Sequence, residues 1–387
     1  MKSRVINLCI MLFMAQSMMA QLTSLGVIGK TLTTHPGYEI EFHGDYLYAA
    51  SSHGLYQYNL NDETDGWKKL AITDSAVIDF EVRGDTIITL TDYQLYTSID
   101  GGKTKDSISV EEIRPYWKYD LIEKTFTGLA AHPSSMRKLH VALKRGLFYT
   151  EDGGTSWMAV DSLMSIEDLV YNPLDEKNLI GHYNGNGAIV YVSTDGGFQW
   201  EKVKGHEDYS LTKTFKNAAF HPEEKNRIVM CGDGIYAMSI DQGYSWTTIE
   251  DPEHPFVGTQ LLVYLDYILY DSRNPNILYG ADWSYVQECK IPILRSKDGG
   301  FSWETFYTIN TKEPSGVDCM CMRENMLVIY TERDNEVLLL DVDAVEMSIS
   351  PVVNGEGTSP YYDLMGRKVA HPTRGIYIKD GRKVIVE

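Results

Sequence analysis

The sequence has 387 residues, 43% of them hydrophobic, which is enough to build a sizeable core and excludes a globally disordered chain. Its 54 acidic residues outnumber 35 basic ones for a net charge of −19, which excludes a nucleic-acid binder that works by neutralising phosphates. The 26 Tyr, 7 Trp and 32 Gly are the composition of many short strands joined by tight turns.

In chain order, the first feature is an export signal over residues 1–20. Lys2 and Arg4 supply its charge, residues 5–14 an apolar run, and residues 15–20 a small-residue end. Cleavage after Ala20 leaves Gln21 as the mature end. Cys9 does not make a lipobox, because the apolar run continues past it and Leu8 stands where a small residue is needed. The expected address is outside the cytoplasm: extracellular, on an outer-membrane surface, or periplasmic. Beyond this segment no apolar run reaches the ~20 residues that cross a bilayer.

An octapeptide then recurs: Ser or Thr, any residue, Asp, any residue, Gly, two more, Trp. Four full copies contain Asp152 and Trp157, Asp195 and Trp200, Asp241 and Trp246, and Asp298 and Trp303. A fifth, at Asp100, has Lys105 in place of Trp. Successive Asp residues are 52, 43, 46 and 57 positions apart, the period of a four-stranded propeller blade with loop insertions. The chemistry is that of a self-contained hairpin turn. The carboxylate can accept from the turn's own N–H groups, Gly permits positive φ, and Trp packs back over the turn with its N–H free to find an acceptor. Five equivalent Asp residues around a ring are structural by symmetry, not catalytic. Ahead of each full copy stands His132-Pro133, Asn172-Pro173, His221-Pro222 or Asn274-Pro275, with 19, 22, 19 and 23 residues from Pro to the next octapeptide Asp. Each is expected to end the first strand of a blade. Because Asn replaces His in two copies, turn chemistry suits this position better than metal binding or base catalysis.

The octapeptide resembles the Asp-box (BNR) motif of the β-propellers found in sortilins, sialidases, xyloglucan-active enzymes and a photosystem II assembly factor. The expected fold is all-β: a single seven-bladed β-propeller over residues 21–345 with Asp-box turns, six or eight blades being the alternatives. A linker over 346–358 and a small C-terminal β segment over 359–387 follow. Blade seven lacks an evident fourth strand within 316–342, and residues 25–33 are the candidate that closes the ring and removes its open edges.

The tail, from Ser359, carries six basic and three acidic residues, whereas residues 21–358 hold 27 basic and 51 acidic ones. Its Tyr362-Asp363-Leu364-Met365-Gly366-Arg367 start, its Gly375-Ile376-Tyr377-Ile378 run and its basic apolar end resemble the C-terminal sorting domains of proteins exported by the type IX (Por) system of Bacteroidota. Three or four short strands are expected, with turns at Gly366 and Asp380-Gly381. Four cysteines lie beyond residue 20: Cys231, Cys289, Cys319 and Cys321. The i,i+2 pair Cys319 and Cys321 shares a strand face and is poorly placed to bond to itself, which leaves buried thiols or one bridge from Cys289.

Residues beyond the repeat are spent in the loops between blades and between second and third strands. Tyr116, Trp117, Tyr119, Tyr183, Asn184, Trp283 and Tyr285 are the candidate ligand-binding residues, aromatics and amides suited to a sugar face or a peptide. The expected partner is a glycan or protein on this loop face, bound by a non-catalytic monomer without cofactor or metal. A glycoside hydrolase is the enzymatic alternative, for which Glu207, Glu253 and Asp282 are the carboxylate candidates. Against a sialidase, the nearest string to its Arg-Ile-Pro is Ile113-Arg114-Pro115, in the wrong order and place. Against a xyloglucanase, those enzymes generally pair two propellers. A scaffold or assembly factor of the cell envelope is the third reading.

Overall fold

The computed structural model of the chain describes residues 22–28, 40–113, 125–161, 164–183, 189–203, 217–232, 235–248, 265–282, 289–331, 333, 335–349, 361–362, 368–369, 375–379 and 382–386. Strand β1 (Leu22–Val27) is followed by blade one: β2 (Ile40–His43), β3 (Tyr46–Ser51), β4 (Gly54–Asn59) and β5 (Trp67–Lys69). Blade two is β6 (Asp79–Arg83), β7 (Thr86–Leu90), β8 (Gln94–Ser98) and β9 (Asp106–Ser109), ending in the short helix α1 (Val110–Ile113). Blade three is β10 (Phe126–His132), β11 (Ser135–Leu143), β12 (Leu147–Thr150) and β13 (Met158–Asp161). Blade four is β14 (Asp168–Asn172), β15 (Asp175–Tyr183), β16 (Ile189–Ser193) and β17 (Glu201–Lys202). Blade five is β18 (Asn217–Phe220), β19 (Ile228–Gly232), β20 (Ile235–Ser239) and β21 (Thr247–Thr248). Blade six is β22 (Leu265–Asp271), β23 (Asn274–Asp282), β24 (Lys290–Ser296) and β25 (Glu304–Asn310). Blade seven is β26 (Val317–Arg323), β27 (Met326–Thr331) and β28 (Glu336–Asp341), completed by β1. The result is a seven-bladed β-propeller, as the octapeptide period predicts.

Each blade is an antiparallel meander, and first strands of neighbouring blades pack side by side as an inner ring, β2 against β26 and β10 against β6 and β14. Blades stack face to face, so second strands are buried on both sides. They read as apolar runs such as Leu47-Tyr48-Ala49-Ala50, Ile228-Val229-Met230-Cys231 and Leu327-Val328-Ile329-Tyr330. Fourth strands, at the rim, are short and mostly exposed, as in β5, β13 and β17.

Ring closure is made by β1, antiparallel on β28 from Leu22↔Leu340 to Val27↔Glu336. The closing strand thus starts three residues earlier than the sequence suggests. Its buried anchors are Leu25 and Ile28, which join a cluster with Ile40, Leu47 and Tyr58 of blade one and Cys319, Val328 and Val337 of blade seven. A second correction concerns blade six. Its first strand ends at Asp271, with Asn274 already opposite it in β23. Asp271 therefore stands where His132 and Asn172 stand, and Pro275 lies inside β23, not in the turn. The shared device is a side-chain acceptor for an N–H two residues on. His132 accepts from Ser134 (3.1 Å), Asn172 from Leu174 (3.0 Å), His221 from Glu223 (3.2 Å) and Asp271 from Arg273 (2.8 Å).

The chain divides into two compact units, and the propeller unit runs from Leu22 to Leu340. In the other, helix α2 (Val342–Ile349) occupies residues where the sequence reading ends the propeller and begins a linker. Its N-cap is Asp341, whose carboxylate accepts from the N–H groups of Asp343 and Ala344, both at 3.0 Å. The tail sheet has the order β30 (Lys368–Val369), β29 (Tyr361–Tyr362), β31 (Gly375–Lys379), β32 (Arg382–Val386), with the Tyr361 and Tyr377 rings edge to face. None of Cys231, Cys289, Cys319 and Cys321 is in a disulfide; Cys231 and Cys319 are buried and Cys289 is exposed. Among the described residues no helix is long and apolar enough to cross a membrane.

Candidate functional site

The five octapeptide turns share one geometry. In blade four the Asp195 carboxylate accepts from the N–H groups of Phe198 (3.0 Å) and Gln199 (2.9 Å) and from the Ser193 hydroxyl (2.9 Å). Ser193 in turn accepts from the Gly197 N–H at 2.9 Å. Asp100, Asp152, Asp241 and Asp298 repeat this pattern with Thr104, Ser156, Ser245 and Ser302. Hydrogen bonds from the Thr104 side chain and N–H hold the Asp100 carboxyl down to about 2, and those from the Ser156 N–H and hydroxyl do the same for Asp152. Burial works against Asp241 and Asp298, yet the bonds from Ser245 and Ser302 still keep both below the usual carboxylate range. All five carboxylates are engaged as acceptors by their own turns.

Each turn also keys one blade to the one before it. The Gly two residues after Asp has φ between +83° and +100° in all five copies. A Cβ there would meet the preceding blade: Leu70 at Gly102, Ile108 at Gly154, His140 at Gly197, Ile180 at Gly243 and Tyr236 at Gly300. Trp200 and Trp246 donate their indole N–H to the carbonyls of Gly197 and Gly243 at 2.8 Å, and Trp303 to that of Gly300 at 3.2 Å. Trp157 is buried without such a partner among the described residues.

At the inner ring, side chains of one blade satisfy backbone groups of the next. Asp79 accepts from the Leu129 N–H (2.6 Å), Glu81 from the Ala131 N–H (2.8 Å), and Arg83 donates to the carbonyls of His132 and Pro133 (both 2.8 Å). Asn217 accepts from the Ile268 N–H in the same way between blades five and six (2.9 Å). Although Glu81 keeps some solvent contact, burial of its carboxyl, aided by Glu41, pushes it up to about 7 against the pull of Arg83 and His43. Sequence reasoning missed this ladder. Its only trace is the polar alternation Asp79, Glu81, Arg83 in an inner strand, where apolar residues would be expected.

The octapeptide turns join third to fourth strands, so they lie at the same end of the ring as the turns between first and second strands. Second-to-third connections and those between blades leave from the opposite end. Tyr183 marks that end: it closes β15, half-buried, opposite Ile189. Its neighbour His182 has a buried Nε2 without a partner among the described residues. Asp282 closes β23 opposite Leu265. The other candidates, Tyr116, Trp117, Tyr119, Asn184, Glu207, Glu253, Trp283 and Tyr285, lie outside the described residues. Among the described residues no group of three or more His, Cys, Asp or Glu side chains is placed to hold a metal.

By fold the chain is a seven-bladed β-propeller with a separate small β sheet. Solved structures similar to it include the GH74 xyloglucanase from Xanthomonas campestris, with a TM-score of 0.58 and 14% identity over 80% of this chain. The match covers 52% of that enzyme, so the chain spans about half its length. YCF48 from Cyanidioschyzon merolae aligns with a TM-score of 0.57 and 12% identity over 83% of this chain and 99% of its own. YCF48 bound to a D1 peptide aligns at 0.54 and 15% identity over 81% and 99%. No protein-family model and no curated protein matches the sequence.

Proposed function

We propose that this chain is an exported Asp-box propeller that acts as a non-catalytic binding module, holding a glycan or protein segment at the end opposite the octapeptide turns. The observation that carries the reading is the commitment of all five octapeptide carboxylates to their own backbone, which leaves those repeated acids spent on structure. Tyr183 closes its strand at the opposite end, and Tyr116, Trp117, Tyr119, Asn184, Trp283 and Tyr285 fall in sequence between strands whose described ends lie there. The nearly full-length correspondence with YCF48, solved with a bound peptide, supports a protein segment over a sugar. Residues 1–20 act as the export signal, and residues 359–387 as a sorting segment of the type IX kind.

The test is a panel of glycosides, polysaccharides and cell-envelope extracts, read for both binding and product release. Binding without turnover, weakened at least tenfold by Trp117→Ala or Trp283→Ala, is expected. Turnover that vanishes on substituting Glu207, Glu253 or Asp282 would make the chain a glycoside hydrolase and overturn the reading. Export is tested separately by the intact mass of the secreted chain, which should begin at Gln21.

A further inference from the structure

The propeller unit begins with the strand that completes it. On β28, β1 is held by the register Leu22↔Leu340 to Val27↔Glu336, with one bulge between Ser24 and Gly26. Leu25 and Ile28 are its buried anchors, and both sit in the cluster that joins blade seven to blade one. At the surface the Ser24 hydroxyl donates to the Glu336 carboxylate. The chain enters blade seven at β1 and leaves it after β28, so only non-covalent contacts hold the ring shut. Without β1, blade seven has three strands, and β28 presents an open edge of backbone donors and acceptors.

The residues just before β1 bear on this closure. Gln21 alone separates Ala20, the end of the charged–apolar–small segment, from Leu22. One residue spans at most about 3.6 Å, so a leader held in a bilayer keeps Leu22 within several Å of the membrane surface. Like the other fourth strands, β1 runs away from the octapeptide-turn end, which places Leu22 at that end beside Leu340. There the ring carries the turns of Asp100, Asp152, Asp195, Asp241 and Asp298, with the first, second, fourth and fifth of these carboxyls held below the usual carboxylate range. Seating Leu22 on Leu340 while the leader is still embedded would press this acidic end onto lipid headgroups, at a cost in desolvation and, over anionic lipid, in repulsion.

We infer that ring closure is a maturation step: the β28 edge is a strand acceptor whose occupant is the chain's own segment 22–28, and it stays vacant until the bond after Ala20 is cut. The inference rests on the export reading above. The cut is peptide hydrolysis by a membrane-bound processing peptidase. One water is consumed, the Ala20–Gln21 amide breaks, Ala20 keeps a carboxylate and Gln21 gains the amine that frees β1 to swing onto its edge.

The experiment is hydrogen–deuterium exchange on the full-length chain, expressed as wild type and as Ala20→Arg, which removes the small residue that processing needs. Amides of β1 and β28 are read against those of β27 in the same blade. In the processed wild type both strands should exchange slowly. In the membrane-held Ala20→Arg chain they should exchange at least tenfold faster. A second variant adds a spacer of about twenty Gly and Ser residues between the arginine at position 20 and Gln21, a reach long enough to clear the membrane. It should regain slow exchange although its leader is uncut, which separates tethering from misfolding. Slow exchange of β1 and β28 in the tethered Ala20→Arg chain, or fast exchange that the spacer does not reverse, overturns the inference. A secreted wild type whose mass still includes residues 1–20 overturns the export reading instead, and the inference falls with it.

Discussion

In the turn of blade four, Asp195 accepts two N–H groups and one hydroxyl within a span of seven residues, and Gly197 bends the chain against His140 of blade three. Asp195→Ala strands those donors at an exposed turn and should cost about 2 kcal/mol in a urea melt, at the low end for bonds to a charged group. Gly197→Ala meets two penalties: its φ is +91°, and the new Cβ would lie 2.5 Å from the His140 Nε2. A loss of about 2–3 kcal/mol is expected, and His140→Ala in the same chain should recover part of it in a double-mutant cycle. The acid limb of stability should report the turns as well. Asp100 and Asp152 are held down to about 2, so their contribution is present above the ordinary carboxylate value of 3.8 and is lost as pH falls through about 2. Asp100→Asn with Asp152→Asn should flatten the fall in melting temperature across that window.

Between neighbouring blades, the rungs Asp79, Glu81 and Arg83 of β6 occupy backbone groups of β10 that the inner ring would otherwise leave unpaired. Burial raises Glu81 from 4.5 to about 7, so the folded chain binds its proton more tightly than the unfolded one. Stability from this group is therefore complete below about 4.5 and declines as pH rises through about 7. Glu81→Gln keeps an oxygen for the Ala131 N–H and sheds the buried charge. It should stabilise the protein by about 1–2 kcal/mol above pH 7 and not below pH 4.5, read from melts across pH. Elements of this kind mark how far the sequence can be read. The octapeptides are legible because every bond of the turn lies within eight residues. The ladder is not, because its donors sit some fifty positions away in another blade. In blade six the Pro275 cue misleads, since Asp271 does by its carboxylate what His-Pro and Asn-Pro do elsewhere. Helix α2 escapes a reading tuned to period two, although Asp341 ahead of Val342 and Val345 is a cap signal. The loop residues are the least legible of all, because connections of unequal length follow no period that would set one against another.

At the scale of the ring, the two ends have different duties. The turn end carries a repeated covalent pattern and the contacts that key the blades, whereas the opposite end carries connections whose lengths the fold leaves free. Closure by β1 adds a last consequence. Leu22 and Leu340 face each other across the β1–β28 ladder, so the two limits of the propeller unit are neighbours in space although 318 residues apart in sequence. The order in which the blades are strung is thus a property of the chain and not of the ring. A circular permutant that joins Leu340 to Leu22 by a tight turn, with new termini opened between blades four and five, should keep all seven blades. Such a chain would carry its closing strand as an ordinary hairpin and would no longer depend on a free end to finish folding.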